Sequence, residues 1–177
     1  MGTNSKVSGT ASENRAVYPG TFDPFTYGHE DIVKRALQLF GNITVAVATQ
    51  STVKKTLFTL HERMDMVHKV TGKYHNVAVV EFDGLLVDFM KQSGFNVSLR
   101  GLRIASDFAY EFQMTRINKL LHGNHETLFL MPSEQSQFTS STAVREISAA
   151  GGDVTQFVDP YVAEKLRQKM DLDGKEK

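Results

Sequence analysis

Residues 18 to 29 combine glycines with a histidine in a pattern that suits phosphate binding. The segment reads Tyr-Pro-Gly-Thr-Phe-Asp-Pro-Phe-Thr-Tyr-Gly-His. Gly20 and Gly28 allow the backbone to approach a ligand closely. His29 falls in the first turn of a predicted helix, whose unpaired N–H groups and positive dipole end attract phosphate. The segment is equally typical of a turn with a capping histidine, so by itself it leaves both interpretations open.

A lysine pair and a run of hydroxyl residues add further candidate ligands for phosphate. Lys54 and Lys55 lie in a polar loop, where such a pair either binds an anion or is simply solvated. Ser140, Ser141 and Thr142 open a predicted helix, so their hydroxyls and the free N–H groups of that helix can cradle phosphate. Ordinary N-capping is the alternative, but it needs one serine, and a run of three leaves hydroxyl groups to spare.

Two arginines occur together in the segment Arg100-Gly-Leu-Arg103. Guanidinium groups bind phosphate in a fork geometry. Pairing with the nearby carboxylates of Asp107 or Glu111 is the alternative. The position of the arginines at the end of a predicted central strand favours phosphate binding.

These candidates follow strands, in a chain where strands and helices alternate. The predicted strands are Ala16–Tyr18, Ile43–Ala48, Val77–Phe82, Asn96–Leu99 and Thr127–Met131. The predicted helices are His29–Phe40, Thr59–Thr71, Leu85–Ser93, Asp107–Leu121, Ser141–Ala149 and Pro160–Met170. This order predicts an α/β fold, Rossmann-like and doubly wound, with a five-stranded parallel sheet and helices on both faces. Because ligands bind at the carboxyl ends of such strands, we expect the candidate loops to meet at one edge of the sheet.

Composition narrows the functional classes. The 177 residues, 41% of them hydrophobic, predict one domain over residues 15–170, with flexible ends at 1–14 and 171–177. Cysteine is absent, which excludes disulfides, thiolate metal sites and a cysteine nucleophile. Basic and acidic residues balance, so no basic excess favours binding to nucleic acid or to an anionic membrane. The first residues lack the apolar stretch of a signal peptide, and no run approaches the roughly 20 apolar residues of a membrane span.

Two common nucleotide-binding motifs are missing. The chain has no Gly-x-x-x-x-Gly-Lys loop, which argues against a Walker-type NTPase, and no Gly-x-Gly-x-x-Gly, which argues against a Rossmann dehydrogenase. A histidine, several cations and two helix N-termini at one sheet edge still fit a site for a polyphosphate nucleotide. The sequence therefore predicts a nucleotide site of a different kind.

The arrangement of motifs resembles a known superfamily. Thr26-Tyr-Gly-His29 resembles the (H/T)xGH signature of the nucleotidylyltransferases, and Ser140-Ser-Thr-Ala-Val-Arg145 resembles their serine-rich second signature. Three more segments narrow the resemblance to the bacterial phosphopantetheine adenylyltransferases: Tyr18–Pro24, Arg100–Arg103 and Asp107–Glu111. The resemblance extends in order from about Arg15 to Met170.

The resemblance implies a reaction and its setting. Members of that family transfer the adenylyl group of ATP to 4′-phosphopantetheine, giving 3′-dephospho-coenzyme A and pyrophosphate in coenzyme A biosynthesis. It implies Mg²⁺ as cofactor, a cytoplasmic location and a homohexamer. It implies neither a nucleic acid nor a membrane as partner.

The resemblance also implies which residues act. The catalytic residues are then His29 and Lys54. The residues implied to bind 4′-phosphopantetheine are Thr21, Lys54, Leu86 and Arg100. The residues implied to bind ATP are Thr21, Phe22, His29, Gly101, Leu102, Arg103, Glu111, Ser136, Gln137, Phe138, Thr139, Ser140, Ser141 and Thr142. No protein ligand is implied for the metal.

The implied chemistry gives His29 a particular part. The attacking phosphate oxygen is already ionised at neutral pH, so the reaction needs no general base. Catalysis then depends on alignment and on charge stabilisation around the α-phosphate of ATP. We expect His29, Lys54 and the helix dipole to supply positive charge there.

Three other functions stay open at this point. A sister enzyme that uses nicotinamide mononucleotide, or CTP with an alcohol phosphate, is disfavoured by the segment from Arg100 to Glu111. A binding module that senses nucleotide without chemistry is disfavoured by the intact set of His29, Lys54 and Arg103. An RNA-binding relative of the synthetases with the glycine–histidine signature is disfavoured because the chain has neither a Lys-Met-Ser-Lys-Ser segment nor a basic excess.

Overall fold

Strands and helices alternate along the whole described part of the chain. The computed structural model describes residues 15–49, 55–103, 105–121, 125–133 and 140–173. Its strands are β1 (Ala16–Gly20), β2 (Ile43–Ala48), β3 (Val77–Phe82), β4 (Val97–Gly101) and β5 (Glu126–Leu130). Its helices are α1 (Tyr27–Phe40), α2 (Leu60–Thr71), α3 (Leu86–Ser93), α4 (Ala105–Leu121), α5 (Ser141–Ala149) and α6 (Pro160–Asp173).

The strands form one parallel sheet in the order β3-β2-β1-β4-β5. From β1 the chain adds β2 and β3 on one side, then crosses back to add β4 and β5 on the other. The order therefore reverses between β1 and β4, and the loops after these two strands run apart. In doubly wound sheets this switch point opens the crevice that binds ligands. The predicted Rossmann-like five-stranded sheet is confirmed.

Each face of the sheet is covered by helices. On one face Val45 and Leu99 lie in a large buried cluster with Val33 of α1, Val67 of α2 and Leu166 of α6. The other face carries a smaller cluster in which Ala46 packs with Met90 of α3. Burial of both faces explains the β-branched, almost continuously apolar sequence of β2.

Two element boundaries differ from the predicted ones in ways that matter for the site. β1 continues through Pro19 to Gly20, paired with β2, although the predicted strand ends at Tyr18, directly before the proline. The fixed φ of proline is compatible with an extended strand, and the parallel ladder tolerates its missing N–H here. α1 begins at Tyr27, two residues before the predicted start, because Thr26 is its N-cap.

Candidate active site

A cavity of about 460 Å³ lies at the carboxyl ends of β1 and β4, at the switch point of the sheet. Of the residues implied by the sequence, the structure brings ten to its wall: Thr21, Phe22, His29, Arg100, Gly101, Arg103, Glu111, Ser140, Ser141 and Thr142. Segments far apart in the chain therefore meet at one edge, as the order of strands and helices predicts.

The remaining implied residues do not line this cavity or cannot be placed. Lys54, Ser136, Gln137, Phe138 and Thr139 lie outside the described residues. Leu102 follows β4 but is not part of the cavity wall. Leu86 is the first residue of α3, where it packs against the smaller buried cluster. Lys55, next to Lys54, does line the cavity and is exposed.

A close backbone turn after β1 forms one wall. Phe22 adopts a φ of 50°, in the left-handed region that non-glycine residues rarely adopt. This places its ring against the backbone of Gly20, where an added Cβ atom would lie 2.7 Å from Cζ of Phe22. Position 20 therefore has no room for a side chain. The sequence suggested that a ligand approaches the backbone of Gly20 closely, whereas in the structure the ring of Phe22 does so.

His29 is held in a defined tautomer. Its Nδ1 accepts a hydrogen bond of 3.0 Å from the backbone N–H of Thr26, the N-cap of α1. Because a backbone N–H can only donate, the neutral ring carries its proton on Nε2. Nε2 is on the opposite side of the ring from Thr26, so it is the nitrogen available to a ligand in the cavity.

The surroundings of His29 keep the ring neutral. It lies among the rings of Phe22 and Phe25, with centroids 5.1 and 5.4 Å away. Burial, assisted by the positive charge of Arg103, lowers the pKa of His29 from 6.5 to about 3. The sequence led us to expect positive charge from this residue. The structure instead makes it a neutral hydrogen-bond donor, because the aromatic enclosure disfavours the imidazolium ion.

The two arginines after β4 differ in their surroundings. Nε of Arg100 lies 3.4 Å from Oε2 of Glu111, so the carboxylate pairing considered from the sequence does occur. Arg100 nevertheless lines the cavity, as does Arg103. Tyr18 is buried beside them, and burial raises the pKa of its hydroxyl while both arginines act in the opposite direction. Arg100 therefore forms an ion pair with Glu111 and lines the cavity at the same time.

The hydroxyl run at the start of α5 has structural contacts as well as a place at the cavity. Ser140 is the N-cap and accepts the N–H of Ala143 at 3.0 Å. The hydroxyl of Ser141 donates to the carbonyl of Pro24 at 2.8 Å, which holds α5 against the loop after β1. Thr142 lines the cavity and is exposed. The N-capping alternative is thus true of Ser140, and the helix N-terminus still faces the cavity.

Sequence reasoning missed residues that build the cavity without bearing an obvious signature. Asp23 is buried, and its carboxylate accepts the backbone N–H groups of Leu57 and Phe58, each at 2.9 Å. Arg145 lies 3.4 Å from the same carboxylate and lines the cavity with it. Both residues stand inside the quoted motifs, so their spacing could have nominated them. Their partnership across more than a hundred residues could not be foreseen.

No protein cage for a metal ion is found among the described residues, where no three carboxylate or imidazole side chains cluster. The cavity carboxylates of Asp23 and Glu111 are both paired with arginines. Over the same parts of the chain, none of the helices has the length and apolarity to cross a membrane.

Comparison of the sequence with known families and proteins gives consistent matches. Residues 17–147 match the cytidylyltransferase-like family. The phosphopantetheine adenylyltransferase of Aromatoleum aromaticum is 52% identical over 160 residues, covering 90% of this chain and 98% of the relative. That of Paraburkholderia xenovorans is 53% identical over 155 residues, covering 88% and 90%.

Solved structures share the fold at lower identity. The nicotinic acid mononucleotide adenylyltransferase of Plasmodium falciparum, complexed with NaAD, superposes with a TM-score of 0.67 at 16% identity. The superposition covers 88% of this chain and 95% of that one. A nicotinate-nucleotide adenylyltransferase from Vibrio parahaemolyticus, described as putative, gives a TM-score of 0.61 at 14% identity over 85% and 89%. These likenesses show that the chain shares the Rossmann-like fold of those structures.

Proposed function

The chain belongs to the phosphopantetheine adenylyltransferases of the cytidylyltransferase-like family, and we propose that it transfers the adenylyl group of ATP to 4′-phosphopantetheine. The products are 3′-dephospho-coenzyme A and pyrophosphate. The observation that carries the proposal is the cavity at the switch point, where a histidine donor, two arginines and a helix N-terminus converge. Relatives about half identical over nearly their whole length support the choice of acceptor.

The reaction exchanges one bond to phosphorus for another. An ionised oxygen of the acceptor phosphate attacks the α-phosphorus of ATP and forms a new P–O bond. The bond from the α-phosphorus to the bridging oxygen of the β-phosphate breaks, and pyrophosphate leaves with the electron pair. No proton has to be removed from the nucleophile, so no general base is required. The protein has only to align the groups and stabilise the charge that develops.

His29 suits the second task. Its Nε2–H is a fixed neutral donor, because Thr26 holds Nδ1 as an acceptor and the aromatic enclosure disfavours a second proton. A preorganised donor aimed at developing charge stabilises a transition state without reorganising. We assign His29 to the non-bridging oxygens of the α-phosphate, where charge builds up during transfer.

The two sides of the cavity suit the two substrates. Arg103, Glu111 and the α5 N-terminus form the side that we assign to ATP, since guanidinium and free N–H groups bind its phosphates. Thr21 and Arg100 are assigned to the junction with the acceptor. Leu102, Leu86, Lys54 and the 136–139 segment keep the roles that the family resemblance implies, as predictions.

Mg²⁺ would reach the site with ATP. The cavity offers no cluster of free carboxylates in its described part, so a cation would be held by nucleotide phosphates and water, as is usual for Mg²⁺. When bound, it would neutralise charge on the phosphates.

Assembly and location complete the proposal. α4 exposes several large apolar side chains, namely Phe108, Phe112, Ile117, Leu120 and Leu121, of which Leu120 is 87% exposed. Exposed apolar clusters of this kind mark surfaces for association, which supports the homo-oligomer, a hexamer by family resemblance. The cytoplasmic location rests on the same resemblance.

The deciding experiment measures pyrophosphate release from ATP and Mg²⁺ with and without 4′-phosphopantetheine. We expect release only when the acceptor is present, and 3′-dephospho-coenzyme A in equal amount. Nicotinamide mononucleotide, and CTP with an alcohol phosphate, serve as competing substrate pairs. Preference for either pair, or ATP binding without release from any acceptor, would overturn the proposal.

A further inference from the structure

A buried arginine behind the cavity joins the backbone of two loops. Arg63 lies in the first turn of α2, is 1% exposed and is not part of the cavity wall. Its Nη1 donates to the carbonyls of Thr21 and Ala48 at 2.7 and 2.8 Å. Its Nη2 donates to the carbonyl of Thr49 at 3.1 Å, and its Nε to that of Phe58 at 3.3 Å. One side chain therefore has four backbone partners.

The four carbonyls belong to segments that form the cavity. Thr21 directly follows β1, Ala48 ends β2, and Thr49 directly follows β2. The segment between β2 and α2 contains Lys55, which lines the cavity, and its described residues, 49 and 55–59, are called the lysine loop below. Arg63 thus ties the end of β1 to both ends of the lysine loop.

The chemistry of these contacts needs a guanidinium group. Its donors are spread over a rigid plane, whereas a lysine presents three donors from a single point and cannot reach all four carbonyls. None of the four partners is a carboxylate. Burial lowers the pKa of Arg63, and only the charge of Asp23 acts against this. A buried charge whose hydrogen-bond partners are all neutral carbonyls is an unfavourable way to gain stability, which indicates another reason for its presence.

A second tie strengthens the same connection. The carboxylate of Asp23, in the loop after β1, accepts the N–H groups of Leu57 and Phe58, in the segment before α2. Two residues therefore fix the loop after β1 to the lysine loop. Arg63 donates to backbone carbonyls of both, and the carboxylate of Asp23 accepts backbone N–H groups of the lysine loop. The two ties differ in reach, because Asp23 holds only the end of the lysine loop at Leu57 and Phe58, whereas Arg63 also holds its start at Ala48 and Thr49.

We propose that Arg63 is a positioning residue for adenylyl transfer, which sets the separation of Thr21 from the lysine loop. It touches no substrate and acts through the main chain of both loops. The inference rests on the proposed function, because Thr21 is assigned to the junction with the acceptor and Lys55 of the lysine loop lines the same cavity. Misalignment of reacting groups by about 1 Å is enough to lower a rate by roughly 10²-fold.

The test compares Arg63→Met and Arg63→Lys with a matched control, Arg35→Met, which removes an exposed guanidinium from α1. Folded fraction and melting temperature are measured first, then kcat per folded enzyme and the dissociation constant of ATP alone. We expect Arg63→Met to lower kcat by roughly 10²-fold, with a smaller loss in Arg63→Lys and none in the control. ATP binding should change by about twofold or less, because the four carbonyls that Arg63 holds belong to Thr21, Ala48, Thr49 and Phe58 and not to the residues that form the side assigned to ATP.

Two results would overturn the positioning role. One is an unchanged kcat per folded enzyme in both Arg63 variants. The other is a parallel loss of ATP affinity and melting temperature that accounts for the whole effect, which indicates a merely structural role. If Arg63→Met does not fold, Arg63→Lys decides by the same measurements. A wild-type protein that releases no pyrophosphate with 4′-phosphopantetheine refutes the proposed function instead, so the two failures are distinguishable.

Discussion

Two modes of action have been considered for His29, one as a positive charge and one as a neutral hydrogen-bond donor. Its neutral state leads to a prediction that separates them. His29→Ala removes the Nε2–H donor, whereas His29→Gln replaces the ring by a neutral amide that can still donate. Loss of one preorganised donor typically lowers kcat by about 10²- to 10³-fold. We therefore expect His29→Ala to lose roughly 10²-fold or more in kcat at pH 7.5, and His29→Gln to recover part of it.

The lowered pKa of His29 also predicts how the stability of the folded protein depends on pH. Burial brings the pKa of His29 from 6.5 in the unfolded chain to about 3 in the folded protein. The folded value is the lower one, so the unfolded chain binds more protons in this interval. His29 therefore makes stability fall as the pH falls below about 6.5, and its contribution is constant above. At pH 4.5, two units below the unfolded value, the loss amounts to about 3 kcal/mol at ~1.4 kcal/mol per unit.

The assay is urea unfolding of the wild type and His29→Gln at pH 7.5 and 4.5, at one fixed protein concentration. The glutamine variant lacks the titrating ring, so the stability of the wild type relative to it should drop by about 3 kcal/mol between the two pH values. His61→Gln, at an exposed position of α2, controls for the loss of a histidine and should not reproduce this change. A difference between wild type and His29→Gln that stays constant with pH would refute the neutral, enclosed ring.

The remaining predictions concern space, assembly and the metal. Gly20→Ala should lower kcat by roughly tenfold or more, because the new Cβ lies 2.7 Å from the ring of Phe22 and displaces the loop after β1. Unaltered kinetics would contradict this contact. Leu120→Lys, on the exposed apolar side of α4, should reduce the mass measured by sedimentation, whereas Leu39→Lys on α1 should not; equal masses would exclude α4 as an association surface. Chelation of Mg²⁺ by EDTA should abolish turnover and leave the circular dichroism spectrum unchanged, and loss of the spectrum would indicate a structural metal.

Hydrophobic periodicity was sufficient to predict the elements. β2, β3 and α5 have the predicted bounds, because their apolar residues repeat at strand or helix spacing between clear stop signals. β1 was predicted too short, since a proline reads as a stop, and only its pairing with β2 carries the strand on to Gly20. Local sequence does not show which strands pair, so pairing can extend a strand beyond the residue at which local propensity predicts its end.

The candidate site was predictable where a residue type has a direct chemical use. His29, the arginines after β4 and the hydroxyls before α5 were identified because histidine, guanidinium and helix N-termini bind phosphate wherever they occur. Arg63 and Asp23 were not identified, since their value comes from backbone groups of distant segments. Leu86, at the start of α3 and against the smaller buried cluster, stays a prediction for the acceptor site.

The sequence by itself determined the order of strands and helices, and with it the parallel sheet and the edge at which the residues proposed to bind phosphate meet. It also determined the family, because five separated motifs occur in order and at the right spacing. Only the tertiary structure decided the protonation of His29, which depends on the N–H of Thr26 at Nδ1 and on the aromatic rings that pack against the imidazole. It alone revealed Arg63 behind the cavity. Both depend on what folding brings within a few ångströms, and periodicity and motif carry no record of such distances.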